Sequence, residues 1–121
     1  MKSQPDAAAG TPITAYGAGW IATNGERFDP SIVVSSWGER FTWDCATFDT
    51  LQAPHFAQLA TMDAELILFG SGERIRFPQP QWLQALYARR IGLETMDTQA
   101  ACRTFNFLAG EGRKVVAALL I

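Results

Sequence analysis

At 121 residues, with 48% hydrophobic and only 18% charged side chains, the chain is sized for one domain whose core needs no metal or disulfide staple. The charged fraction lies below the roughly 25% usual for soluble domains, and four Trp with eight Phe make the protein apolar for its size, which leaves room for a buried partner surface. Ten basic against twelve acidic residues give a net charge of -2 with no basic run, so phosphate-backbone electrostatics, and with them nucleic acid as a partner, are excluded.

Residues 1–10 carry one Lys, one Asp and a Pro, without the apolar core of roughly 7 to 15 residues that a signal needs. They read as neither secretory signal nor membrane span. The expected setting is the cytoplasm, with a disordered arm over residues 1–11 ahead of a single α/β domain over 12–121. Residues 13–16 and 19–23 read as short extended segments, and Asn24-Gly25 is a hairpin signal because both central positions of a type I′ turn need positive φ. Residues 31–35 and 40–43 continue the strand pattern around a Trp37-Gly38 turn. Pro54 suits the first position of a short helix over 54–60, with Phe56, Leu59 and Ala60 on one side. Residues 65–69 read as a buried strand running into Gly70-Ser71-Gly72. Over 80–90, Leu83, Leu86 and Tyr87 build an apolar helix face closed by Arg89 and Arg90, whose charge complements the negative helix end.

The last thirty residues read as strand, capped helix and buried strand. Asp97 or Thr98 can accept from the free N–H groups of a first turn, and Gly110 and Gly112 suit a left-handed C-terminal cap. Ala101, Phe105 and Leu108 share one apolar face at i, i+4 and i+7, while Gln99, Arg103 and Asn106 fall on a polar stripe. The run 115–121 has no polar alternation, which predicts a strand covered on both faces and central to the core. Strands alternating with helices in the second half predict an α/β fold: three layers, a central mixed β-sheet flanked by helices, and an added N-terminal β-hairpin.

The chemistry-bearing residues are sparse. Cys45 and Cys102 lie far apart in no C-x-x-C arrangement, and with His55 alone beside them they cannot supply a zinc site of the usual four ligands, so no metal is expected and both thiols read as free and buried. Asp44 beside Cys45 raises a thiol's pKa and so argues against a nucleophile there. His55, next to a helix-starting proline, reads as a surface or capping residue. The Gly70-Ser71-Gly72-Glu73-Arg74 stretch lacks the remaining signature of a dinucleotide or phosphate loop and reads as a turn. The best candidate ligand site is the start of the C-terminal helix, where free backbone N–H groups, Asp97, Thr98 and Arg103 would meet a carboxylate or phosphate at the edge of the sheet. The competing reading makes Asp97 a cap and pairs Arg103 with Asp44, Asp63 or Glu94.

Gly19-Trp20-Ile21 with Asn24-Gly25, Ser31-Ile-Val-Val34, Glu65-Leu-Ile-Leu-Phe-Gly-Ser-Gly72, Glu94-Thr-Met-Asp-Thr-Gln-Ala-Ala-Cys-Arg-Thr-Phe-Asn106, Glu111-Gly-Arg113 and Ala117-Ala-Leu-Leu120 together carry a resemblance. The chain resembles a family of small α/β domains of unknown function that includes the mitochondrial complex I assembly factor three and an adipogenesis-associated domain protein. The similarity spans residues 12 to 121, and Met96-Asp-Thr-x-Ala-Ala-x-Arg-Thr104 is its most specific part. The resemblance implies a three-layer fold with a central mixed sheet, no established enzymatic activity and no cofactor. It also implies protein partners, among them membrane-complex assembly or translocation components. The missing Arg-rich, acid-poor amphipathic start favours a bacterial cytoplasmic protein over a mitochondrial one.

Two functions follow. One is a non-enzymatic, assembly-factor-like interaction module with an exposed apolar or aromatic patch, suggested by the low charge and by Trp20, Trp37, Trp43 and Trp82. The alternative is a binder or enzyme for a small anionic metabolite, built on Asp97, Thr98 and Arg103.

Overall fold

The structure is a computed structural model that describes residues 12–23 and 25–121. The expected arm over 1–11 and the Asn24 half of the hairpin signal lie outside the described residues. Strands β1 (Ile13–Gly17), β2 (Trp20–Thr23) and β3 (Glu26–Phe28) form a small antiparallel sheet. Strands β4 (Ile32–Ser35), β5 (Arg40–Thr42), β6 (Leu66–Gly70), β7 (Gly92–Met96) and β8 (Val115–Leu119) form the central one, in the order β5-β4-β8-β6-β7. β6 runs parallel to both β7 and β8, and β4 runs antiparallel to β8 and β5. The sheet is therefore mixed, with β8 in the middle of it.

Why β4, β6 and β8 lack polar alternation is visible in what covers them. Val33, Ile67, Phe69, Val116 and Ala118 face one side, where helices α1 (Ala53–Ala60) and α2 (Gln84–Ala88) pack. Ile32, Val34, Leu68, Val115, Ala117 and Leu119 face the other, under helix α3 (Thr98–Gly110) and Ile13 and Ile21 of the small sheet. Both faces are dry, so both strand parities must be apolar. Trp43 is the hub of the first core, 2% exposed, with Phe56 and Phe69 edge-on at 5.8 and 6.1 Å. The result is the three-layer mixed α/β architecture that the sequence predicts.

The small sheet is fastened by two side chains. The Asn106 amide of α3 accepts from the Ile13 N–H at 2.9 Å and donates to the Ile13 carbonyl at 2.7 Å, so a polar-stripe residue replaces a missing ladder partner for β1. Arg40 of β5 donates to the buried Thr23 hydroxyl and to Glu26 at 3.0 Å, and lies over the Phe28 ring.

Local departures from the predicted elements have physical causes. β3 was not legible because Glu26-Arg27-Phe28 is short, charged and half-buried at best. The segment 80–90 begins as a 3₁₀ turn, Pro80–Leu83, and only Gln84–Ala88 is α-helical, with Leu83 at φ -102°, ψ 7° between them. Of the predicted apolar face only Leu83 and Leu86 are buried, and Tyr87 is 58% exposed. At the end of α3, Gly110 is still helical and Gly112 takes the left-handed position at φ 81°.

Candidate functional site

At the start of α3 the three candidate residues take different positions. The Asp97 carboxylate accepts from the Ala100 N–H at 2.9 Å and is the N-cap. The Thr98 hydroxyl accepts from the Gly72 N–H at 2.8 Å and donates to the Leu120 carbonyl at 2.6 Å, while the Thr98 N–H donates to the Gly72 carbonyl at 2.9 Å. Thr98 thus ties the helix start to the ends of β6 and β8. The approach is tight enough that a Cβ on Gly70 would sit 2.9 Å from a Leu119 methyl and 3.0 Å from the Thr98 Cα, which is why the position is glycine. Arg103 stands apart on the exposed face, its Nη1 3.4 Å from the Tyr16 hydroxyl, which raises the guanidinium pKa further. Among the described residues it makes no ion pair with Asp44, Asp63 or Glu94; Asp63 pairs with Lys114 at 3.2 Å.

Next to this start, beyond the C-terminal ends of parallel strands β6 and β8, lies a cleft of about 570 Å³ lined by residues 46–48, 71–74, Arg76 and Leu120 to Ile121. The buried Ser71 shapes it: its hydroxyl donates to the Arg74 carbonyl at 2.7 Å and accepts from the Arg76 N–H at 2.9 Å. The Arg76 guanidinium rests over Phe48 at 4.7 Å, and its Nε is buried without a hydrogen-bond partner.

A second feature occupies the β7 edge. Phe77, Pro78, Pro80, Leu83, Tyr87 and residues 93–95 line a groove of about 290 Å³ beside that strand. Phe77 is 72% exposed, and with Tyr87 and Ile75 it supplies three of the four large exposed apolar side chains of the described residues, the other being Phe107 on α3. The same stretch, residues 73–94, holds Arg74, Arg76, Arg89 and Arg90 against Glu73 and Glu94. None of these arginines joins an ion pair among the described residues. The exposed aromatic surface is not made by the tryptophans, because Trp43 is buried, Trp37 and Trp82 pack against the first core and Trp20 lies under Arg27 at 4.4 Å. A sequence signal for the groove existed: Ile75 and Phe77 alternate with Arg74 and Arg76 just before Pro78 and Pro80, so the segment is apolar yet barred from a ladder.

The remaining reactive groups are built into the fold. His55 Nδ1 accepts from the Gln52 N–H at 3.0 Å, which leaves Nε2 to donate to the Asp44 carbonyl at 2.6 Å, so the histidine caps α1. Cys45 and Cys102 are free, buried and on opposite faces of the sheet. Burial, then the Asp44 charge, pushes the Cys45 thiol up to about 12; burial, with Arg103 pulling down and Asp97 pushing up, does the same for Cys102. Among the described residues no helix is long and apolar enough to cross a membrane.

The model of a family described as a protein of unknown function (DUF498/DUF598) matches residues 13–120. The chain is 32% identical over 111 residues to the NADH dehydrogenase (ubiquinone) 1 alpha subcomplex assembly factor 3 of Bos taurus, a match covering 89% of this chain and 59% of the relative. It therefore spans about three fifths of that relative's length. Among solved structures it is similar to a Bordetella parapertussis protein, with TM-score 0.87, 39% identity and coverage of 93% and 96% of the two chains. A Bordetella pertussis Mth938-like domain gives TM-score 0.80 and 33% identity, covering 99% and 90%.

Proposed function

We propose, from the premise that the chain belongs to the DUF498/DUF598 family, that it is a non-enzymatic protein-interaction module of the assembly-factor kind, docking through the face around β7. The observation that carries this reading is the joint concentration of exposed apolar side chains, Ile75, Phe77 and Tyr87, and of Arg89 and Arg90, which make no ion pair among the described residues, in the segment leading into β7. Exposed aromatics rimmed by Arg are the composition of docking surfaces, where Tyr, Phe and Arg are enriched and most charged residues depleted. The bovine relative is named as an assembly factor for NADH dehydrogenase, which supports protein partners in a complex, and membrane-complex assembly or translocation components are part of the same proposal. A bacterial cytoplasmic setting belongs to the same proposal. The test is a Phe77→Asp/Tyr87→Asp variant captured with its partners from the native cell. Loss of specifically co-purifying proteins, with an unchanged near-UV circular dichroism spectrum, is expected. Retention of the same partners contradicts the assignment.

A second reading places a small anionic metabolite at the start of α3, near Asp97, Thr98 and Arg103. The observation favouring it is the adjoining cleft, where Arg76 Nε is buried without a partner. Thermal melts against a metabolite library test it. A ligand-induced shift in wild type that Arg103→Ala removes supports the site, and no shift in either protein dismisses it.

A further inference from the structure

The geometry points to β7 as a pairing edge that adds an extended acidic and apolar segment of a partner protein as a sixth strand of the central sheet. This rests on the interaction-module reading and gives it a mechanism. β7 pairs with β6 alone and is five residues long, whereas the opposite edge, β5, has three residues, with Arg40 bridging to Glu26. In a strand the N–H and C=O of one residue point to the same side and those of the next residue to the other. The Met96 carbonyl accepts from the Ser71 N–H at 2.9 Å on the β6 side, so Gly92 and Glu94 also face β6, and Leu93 and Thr95 turn their amides and carbonyls outward. Those four groups are a ready ladder for a further strand. The groove lies directly beside them, with Phe77, Pro80, Leu83 and Tyr87 placed to receive alternate side chains of the added strand, the arrangement by which peptides extend exposed sheet edges.

Charge selects the partner's chemistry. Arg89 and Arg90 stand at the entrance to β7, so an apolar segment with an acidic flank at that end is complementary and one with a basic flank there is repelled, while Glu94 is the one charged residue lining the groove itself. Arg90 occupies a backbone position that glycine would take with less strain. It sits at φ 57°, the left-handed position after α2, with Arg90 N–H donating to Tyr87 and Ile91 N–H to Leu86. At the equivalent position after α3 the chain uses Gly112, with matching bonds from Gly112 to Ala109 and from Arg113 to Leu108. The same cap thus takes glycine at one helix and a strained, exposed arginine at the other, two residues before β7.

The test uses a panel of fluorescein-labelled ten-residue peptides with alternating Val, Ile, Leu or Phe between glutamate flanks, titrated into the full chain by anisotropy and followed by amide NMR. Two control sets carry lysine flanks or N-methylated alternate amides. Expected are binding of the acidic set, at least tenfold weaker binding of both controls, shifts centred on the Leu93 and Thr95 amides, and at least a tenfold loss on Arg90→Gly. No binding by any acidic peptide, or equal binding of the lysine set, overturns the inference. Equal binding of the N-methylated set with loss on Phe77→Asp removes strand pairing but leaves the docking face. Binding unaffected by Phe77→Asp and by Arg90→Gly removes both. A self-associated dimer in sedimentation that Leu93→Pro dissociates assigns the edge to a second copy instead. Co-flotation with phosphatidylserine vesicles that Arg89→Ala abolishes, without peptide binding, assigns the face to a membrane surface.

Discussion

Thr98→Val keeps the volume and the β-branch of the side chain and removes its hydroxyl. In the structure that hydroxyl accepts from the Gly72 N–H at 2.8 Å and donates to the Leu120 carbonyl at 2.6 Å, so two backbone groups in a half-buried seam lose their partner together. A buried polar group left unsatisfied costs about 1–3 kcal/mol. The pair should therefore destabilise the fold by about 2–4 kcal/mol, with partial rehydration through the adjoining cleft keeping the sum below the upper limit. At about 4 °C per kcal/mol for a chain of this size, the melting temperature should fall by roughly 8–16 °C. Urea unfolding of wild type and variant measures the difference directly, with an unchanged slope expected because the surface exposed on unfolding is the same. A variant within about 0.5 kcal/mol of wild type would show that the hydroxyl does not hold the helix start to the strand ends, and would return Thr98 to the ligand reading.

Arg90→Gly should stabilise the protein by about 0.5–1 kcal/mol, the relief of left-handed strain less the extra unfolded-chain freedom of glycine, and differential scanning calorimetry would show it as a higher melting temperature. A lower melting temperature contradicts the strain argument. Arg103→Ala should leave the melting temperature unchanged, since the side chain is exposed and its one contact is a 3.4 Å approach to Tyr16; a large drop would reveal a partner that the structure does not contain. For the cysteines, folded thiols near 12 against an ordinary 9.0 mean that the folded state keeps protons the unfolded state releases. Stability is thus insensitive to these groups below about pH 9 and falls as pH rises from there toward 12. Iodoacetamide at pH 8 should label neither thiol in the native protein and both in urea; rapid native labelling would contradict their burial.

The layers were legible because the strongest sequence signals coincide with the most buried elements. The unbroken run over 115–121 identifies the central strand, and the Ala101/Phe105/Leu108 spacing with an acceptor at Asp97 identifies α3 and its cap. What was not legible depends on tertiary pairing. Asn106 reads as polar surface until Ile13 is brought beside it, and β3 exists because Arg40 and β2 hold it. At the candidate site, Asp97 and Thr98 were recognised as hydrogen-bonding groups; Asp97 caps its own helix at Ala100, yet the partners of Thr98, Gly72 and Leu120, come from other elements and carry no sequence signal. The groove was hidden because Leu83, Leu86 and Tyr87 read as one apolar face, whereas only the two leucines are buried and Tyr87 is left exposed on the groove. The functional face therefore emerges where the regular pattern fails.

The claim that this chain works by docking a protein at the β7 face is tested most directly by site-specific photocrosslinking in the native cell. Benzoyl-phenylalanine in place of Phe77 and, separately, of Phe107 puts the same probe on two exposed phenylalanine positions on opposite sides of the central sheet, 72% and 64% exposed. The account predicts a discrete protein adduct from position 77, diminished by Arg90→Gly, and none from position 107. No adduct at 77, or the same adducts from both positions, would contradict it.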